Sequence, residues 1–236
     1  VKVTAEQLRF IMPTLHEERA ALWAPYLSDA MTEFFISTPP RAAAFLAQDA
    51  HESRELSALV ESMNYSADRM IAVWPSRFGH QSGATAAQRA AGRTLAAKLA
   101  HQPAALANYV YGARGGNRGE ASGDGWLYIA RGPLGTTGRA NYGAAGLALG
   151  LPLLDHPELL EHPQHGSRAA AYFWQSNGLN KVVDAGESVA DRDGALEAFT
   201  ACSKAVNLGS PTAKGTPLGM AERLAYWQRA RKALSA

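Results

Sequence analysis

The sequence predicts a mainly α-helical domain with a loop-lined cleft, on three observations. Apolar residues recur at three- and four-residue spacing through most of the chain. Runs that alternate with the period of a strand are sparse. One segment, Gly112 to Gly138, holds nine glycines and little periodicity.

The elements follow in order. Leu8, Ile11, Met12 and Leu15 trace a first helical face, and Leu22, Tyr26, Leu27, Ala30, Met31 and Phe34 a second after a break near Pro13. Residues 1–35 are thus expected as N-terminal helices packed on the rest. Pro39-Pro40 is expected to stop the chain before a helix from Arg41 to Leu56 with an alanine-rich packing face. Ala86 to Tyr111 reads as a long helical stretch, interrupted or restarted at Pro103. Shorter helices are expected over Arg139–Leu149 and Ser167–Ser176, and the last two over Ala190–Val206 and Leu218–Leu234. Glycine permits unusual backbone angles and close approach of a ligand, so 112–138 reads as a functional surface.

With 236 residues, 47% hydrophobic and 19% charged, the composition is that of a globular protein able to bury a sizeable core. We expect one domain over 1–236, with no separate binding module. A net charge of +2 is too small to suggest a nucleic-acid partner. Cations gather at the C-terminus, where Lys214, Arg223, Arg229, Arg231 and Lys232 face a single acid, Glu222. Such a helix either touches an anionic envelope or presents a solvated face. One cysteine, Cys202, excludes an internal disulfide. No stretch approaches about 18 uninterrupted apolar residues, so no membrane span is expected. Val1 to Gln7 lacks the charged-then-apolar pattern of a signal peptide, which gives the expectation of a cytoplasmic product.

Chemistry-bearing residues cluster in Asp49-Ala50-His51-Glu52-Ser53-Arg54-Glu55. A zinc protease would place a second His four residues after His51, but position 55 is Glu. No cofactor or metal is expected. Paired carboxylates suit glycoside hydrolysis, in which one protonates the leaving oxygen and the other activates water or attacks carbon. Glu52 and Glu55 share a helix face at about 5–6 Å. Glu52 and Glu61 would lie on opposite faces of one unbroken helix, and cooperate only if the helix ends between them. Geometry alone therefore favours Glu55 as the partner. The apolar run Ala44-Phe45-Leu46-Ala47 before Glu52 predicts apolar surroundings, which favour a protonated acid.

Phe45-Leu46-Ala47-Gln48-x-x-His51-Glu52-Ser53 followed by Glu61-x-x-Asn64-Tyr65-Ser66 resembles the family 19 glycoside hydrolases, which comprise plant-type chitinases and phage endolysins. Gly123-Asp124-Gly125-Trp126-x-Tyr128-x-x-Arg131-Gly132 and Thr137-Gly138-Arg139-Ala140-Asn141-Tyr142 resemble a second stretch of that family. Ala171-Tyr172-Phe173-Trp174 and Val206-Asn207-x-Gly209 are weaker matches. Arg54-Glu55 stands where the phage branch has Gly-Gly, Ile129-Ala130 where it has Arg-Gly, and Gly135 where it has Gln. The lost Gln removes a substrate hydrogen bond, and Arg54 is placed to pair with Glu55 or Glu61.

The resemblance implies a lysozyme-like helical domain with a deep cleft. It implies Glu52 as the general acid, Glu61 as the second carboxylate and Thr137 as a holder of the catalytic water. Asn64, Arg131, Asn141, Tyr142 and Asn207 fall at substrate-binding positions, with His51 beside the acid. Tyr65, Trp126, Tyr128 and Tyr142 either stack on sugar faces or pack in the core. The expected activity is that of a monomeric endolysin, a muramidase-type lysozyme that cuts the peptidoglycan glycan strand with inversion. It would be made in a host cytoplasm and act on the bacterial wall after release. The alternatives are a chitinase on N-acetylglucosamine polymers and a non-catalytic glycan-binding relative.

Overall fold

A computed structural model describes residues 1–188 and 192–235, the side chain of Arg192 excepted. Among these residues there are helices and turns but no strand, and an isolated bridge joins Arg131 to Thr136. The chain divides into two compact units. Unit 1 comprises Val1–Leu59, Arg131–Thr136 and Ala145–Ala236; unit 2 comprises Val60–Ala130 and Thr137–Ala144.

Unit 1 begins with α1 (Ala5–Ile11), fixed at its start by a capping box in which Thr4 and Gln7 satisfy each other's backbone N–H. The helix α2 (Glu17–Glu33) carries Pro25 in its interior and buries Trp23, Leu27 and Met31. Next comes α3 (Pro39–Glu52). The two prolines do not end a segment, as expected, but begin this helix. Proline has no N–H to lose in a first turn, and its fixed φ already suits a helix. Thr38 supplies the cap to the Arg41 N–H.

The end of α3 also differs from the expectation. It stops at Glu52, four residues before Leu56, because Arg54, Glu55 and Leu56 adopt φ of 48°, 56° and 60°. This is left-handed backbone, which in L-residues crowds Cβ against the following carbonyl. Here non-glycine residues hold it for three positions running.

In unit 2 the helices are α4 (Ala67–Val73), which periodicity missed because it is two turns long, then α5 (Ala86–Leu99), α6 (Pro103–Tyr111) and the short α7 (Asp124–Leu127). Pro103 restarts the chain as α6. Met63, Met70, Phe78, Leu99, Leu106, Val110 and Ile129 form the unit's core. In the glycine-rich segment, Gly138 has a φ of 84°, and a Cβ there would stand 2.8 Å from the Gly115 carbonyl oxygen. Only glycine allows that approach.

The helix α8 (Arg139–Leu149) begins in unit 2 and ends in unit 1. The remaining helices belong to unit 1: α9 (Pro163–Ser176), α10 (Leu179–Glu187), α11 (Arg192–Leu208) and α12 (Met220–Leu234). The sequence reading missed α10, and the start expected for α11 at Ala190 lies outside the described residues. In unit 1, α3 packs mainly on α12, and α2 packs on α9. Phe45 of α3 meets Trp174 of α9 edge-on at 5.6 Å, both fully buried. Truncating such a ring typically costs about 3–5 kcal/mol.

The basic C-terminal helix is used internally. The Arg223 side chain is fully buried, Arg229 lies over the Tyr226 ring, Arg231 pairs with Glu187 over Trp227, and Lys232 lies over Phe10. No helix is long and apolar enough to cross a membrane among the described residues.

Candidate active site

In unit 1 the site is built on the last turn of α3. Gln48 and Glu52 stand four apart, so they share the face that meets α12, and Glu55, beyond the helix end, accepts from Tyr226 of α12. Across from them Arg223 donates from Nη1 to Gln48 Oε1, from Nη2 to Glu52 Oε1, and from Nε to the Leu218 carbonyl at 2.9 Å. Gln48 passes the network on, donating to Ser203 Oγ at 2.9 Å. Each nitrogen of this buried guanidinium faces an acceptor, which offsets the cost of burying the charge. The Glu52 side chain is 27% exposed. Its Oε2 accepts no hydrogen bond among the described residues.

Around this core, His51 Nδ1 lies 2.7 Å from Glu222 Oε2. The ring fits because residue 219 is glycine, where a Cβ would stand 2.1 Å from His51 Cε1. Asn207 Oδ1 accepts the Leu218 N–H at 2.9 Å and so holds the segment leading into α12. Asp49, one turn before Glu52, is fully buried, and neither carboxylate oxygen has a hydrogen-bond partner among the described residues. Burial, and after it the charge of Glu52, hold its carboxyl well above the usual carboxylate range.

In unit 2 the corresponding carboxyl is Glu61. Its N–H donates to the Ala130 carbonyl at 2.9 Å, and the Tyr111 hydroxyl donates to its Oε1 at 2.7 Å. Burial, then Glu61, raise the Tyr111 phenol, so it stays a donor throughout the neutral range. Tyr111, Trp74 and Tyr65 form a half-buried aromatic row with edge-on contacts at 6.5 and 5.1 Å. Asn64 Oδ1 meets His101 Nδ1 at 2.8 Å. Asn141 is exposed and donates to the Thr137 carbonyl at 2.8 Å. Trp126 is exposed.

A protein of Haemophilus influenzae described as glycosyl hydrolase family 19 domain-containing is 30% identical to the chain over 140 residues. The chain is a relative of the family 19 glycoside hydrolases. It spans 64% of that Haemophilus protein, and 59% of the chain is matched. An endochitinase of Brassica napus is 31% identical over 111 residues, which are 43% of the chain and 34% of that protein. An endochitinase of Arabidopsis thaliana is 45% identical over 60 residues, 25% of the chain and 21% of that protein. No family model matches the chain. Among solved structures, chitinase C from Streptomyces griseus superposes with a TM-score of 0.56 at 21% identity, over 99% of the chain and 77% of that protein. A bacterial family 19 chitinase superposes with 0.54 at 20%, over 99% and 95%. These structural likenesses agree on the lysozyme-like helical fold.

The structure sorts the residues that the resemblance to family 19 implied. Unit 1 holds Glu52, His51, Arg131 and Asn207; unit 2 holds Glu61, Asn64, Tyr65, Trp126, Tyr128, Thr137, Asn141 and Tyr142. Tyr128 and Tyr142 are corrected to core residues. Both are buried with rings 5.3 Å apart, and the Tyr142 hydroxyl donates to the Ile129 carbonyl. A face already packed on another ring has no room for a sugar. Arg131 is mostly buried and pairs with Glu161 at 3.0 Å, which makes it a structural cation rather than a substrate contact. The apolar setting expected for Glu52 is replaced by an ionic one, because α12 brings Arg223 to the end of α3.

Glu55 is also reassigned. Its carboxylate is buried and accepts from the Thr14 N–H and hydroxyl and from Tyr226, so Thr14 and Tyr226, not Arg54, satisfy it. It pins the segment after α1. Because α3 ends at Glu52, Glu52 and Glu61 do not share one helix.

Sequence reasoning missed Arg223, Tyr111 and Asp49. Arg223 and Tyr111 act across 171 and 50 residues of chain, where local pattern carries no signal. Asp49 was visible as an acid on an otherwise apolar helix face, which is a signal worth reading.

Proposed function

We propose that the chain hydrolyses β-1,4 bonds of the peptidoglycan glycan strand, with Glu52 as general acid and Glu61 as second carboxylate. The observation that carries the reading is Glu52 itself. One oxygen is fixed by a buried guanidinium at a helix end, while the other is open and the side chain is partly exposed. A carboxyl held on one side and open on the other can present a proton to a leaving oxygen in one orientation. Glu61, steadied through Oε1 by Tyr111, would use its other oxygen to activate water, with Thr137 beside that water. Trp126 and Asn141 offer exposed stacking and hydrogen-bonding surface to a sugar. In this reading the protein is a bacteriolytic endolysin of muramidase type that inverts the anomeric centre.

A second reading is supported by the endochitinases among its relatives. Chitin and peptidoglycan share β-1,4-linked N-acetylglucosamine, so the same carboxylates would serve a chitinase. The test is turbidity clearance of purified peptidoglycan and hydrolysis of soluble chitin oligomers, with mass spectrometry of the products, for wild type and Glu52→Gln. The glutamine keeps the shape but cannot donate a proton, and the expected loss is about 10²–10⁴-fold. New N-acetylmuramic acid reducing ends support the muramidase. Turnover of chitin oligomers alone supports the chitinase, and full activity of Glu52→Gln would remove the acid assignment from both.

A further inference from the structure

The charges of the two units differ in sign. Unit 2 carries eight Lys/Arg against four Asp/Glu, a net of +4, whereas unit 1 carries fifteen against seventeen. From Arg69 to Arg118 the sequence has seven Lys/Arg and no acid at all. Within unit 2, Asp124 is buried and neutralised by Arg118 at 2.9 Å and Arg139 at 4.0 Å. Arg69, Arg77, Arg89, Arg93, Lys98 and Arg114 form no ion pair among the described residues, and all but Arg77 are exposed.

The placement of Arg89 and Arg93 works against the local structure. Arg89 and Arg93 stand four apart on α5, a like-charge pair that weakens a helix. The first turn of α5 has no acid to meet its positive dipole end, and Arg89 follows directly. Arg89 donates to the Ala84 carbonyl at 2.7 Å, but no carboxylate balances its charge or that of Arg93 among the described residues, and an anion from outside the chain would do so.

We propose that the outer surface of α4 and α5, centred on Arg69, Arg89 and Arg93, binds an anionic glycan through the carboxylates of its peptide stems. This rests on the peptidoglycan reading above and deepens it, because uncharged chitin gains nothing from such a surface. The aromatic rings nearest in sequence pack on one another, Trp74 on Tyr65 and Phe78 on Tyr109. A polymer held by charge fits that surface better than single-stranded nucleic acid held by stacking.

The test is co-sedimentation of the full chain with peptidoglycan sacculi stripped of phosphate polymers, across a salt series. The same chain carrying Arg69→Gln, Arg89→Gln and Arg93→Gln is compared with its Arg→Lys counterpart. Expected are binding that falls with salt, about tenfold weaker binding for the Gln variant, and retention by the Lys variant. The melting temperature stays unchanged in both. Sacculi binding that is equal in wild type and Gln variant, or that survives high salt, overturns the surface. So does an equal loss of binding in the Lys variant, which keeps the charge. Binding only to walls that keep their phosphate polymers overturns the carboxylate assignment, and equal retention on DNA overturns the glycan. Sacculi bound but never cut would remove the hydrolase reading and leave the surface standing; sacculi cut without charge-dependent binding would do the reverse.

Discussion

Replacing Asp49 with Asn is expected to shift the melting temperature in the variant's favour steadily as pH rises. The buried carboxyl has a folded pKa well above the unfolded value of about 3.9. Between those two values the unfolded chain has released the proton and the folded chain still holds it. Stability therefore falls as pH rises through the window, by about 1.4 kcal/mol per pH unit, until the folded pKa is reached. Asn carries no such proton, so its disadvantage or advantage as an amide is a constant offset and only the slope is diagnostic. For a chain of this size 1 kcal/mol corresponds to about 2–4 °C, which gives about 3–6 °C per pH unit between the two melting curves. Calorimetric melts of both proteins from pH 4.5 to 8 measure it. A difference independent of pH would mean that Asp49 is ionised and partnered in the folded chain. A difference that grows toward acid would reverse the sign of the argument.

Three further outcomes are expected. Arg54→Gly, at an exposed residue with a φ of 48°, should stabilise the chain by about 1 kcal/mol, read as a higher denaturant midpoint with an unchanged slope. Glu55→Gln should cost about 1–3 kcal/mol by disturbing the bonds to Thr14 and Tyr226, yet leave turnover per folded molecule intact; Glu61→Gln should do the opposite, and kinetics on refolded fractions separate the two. Asp124→Asn should melt earlier than wild type at neutral pH. Because the hydrogen bond from Arg118 holds the Asp124 carboxyl below its usual range, that gap should close as pH falls through the folded pKa.

Much of the helical architecture could be read from spacing, because long amphipathic segments such as α2 and α11 repeat their apolar positions over several turns. The errors have local causes. Pro39-Pro40 fits a stop or a start equally well until Thr38 is seen to cap the turn. The end of α3 could not be read from propensity, since nothing in Arg54-Glu55-Leu56 favours left-handed backbone; the bonds holding Glu55 to Thr14 and Tyr226 impose it from outside the segment. Glu52 and Glu61 stood out because family motifs put them in order. Whether Tyr142 faces sugar or core depends on its contact with Tyr128, and a sequence motif does not distinguish the two.

The order in which the two units run along the chain bears on how the molecule acquires its chemistry during synthesis. Most of unit 2 is one continuous segment, and its core closes from neighbours in sequence. Local contacts of that kind form fast. Unit 1 is gathered from three separate segments, and the guanidinium that fixes Glu52 lies 171 residues downstream of it. Until α12 has been translated, the end of α3 has no cation beside it and the pocket for Gln48 is open. A nascent chain that stops short of α12 thus lacks the cation that orders Glu52, and this carboxyl is set in place by a helix made long after its own.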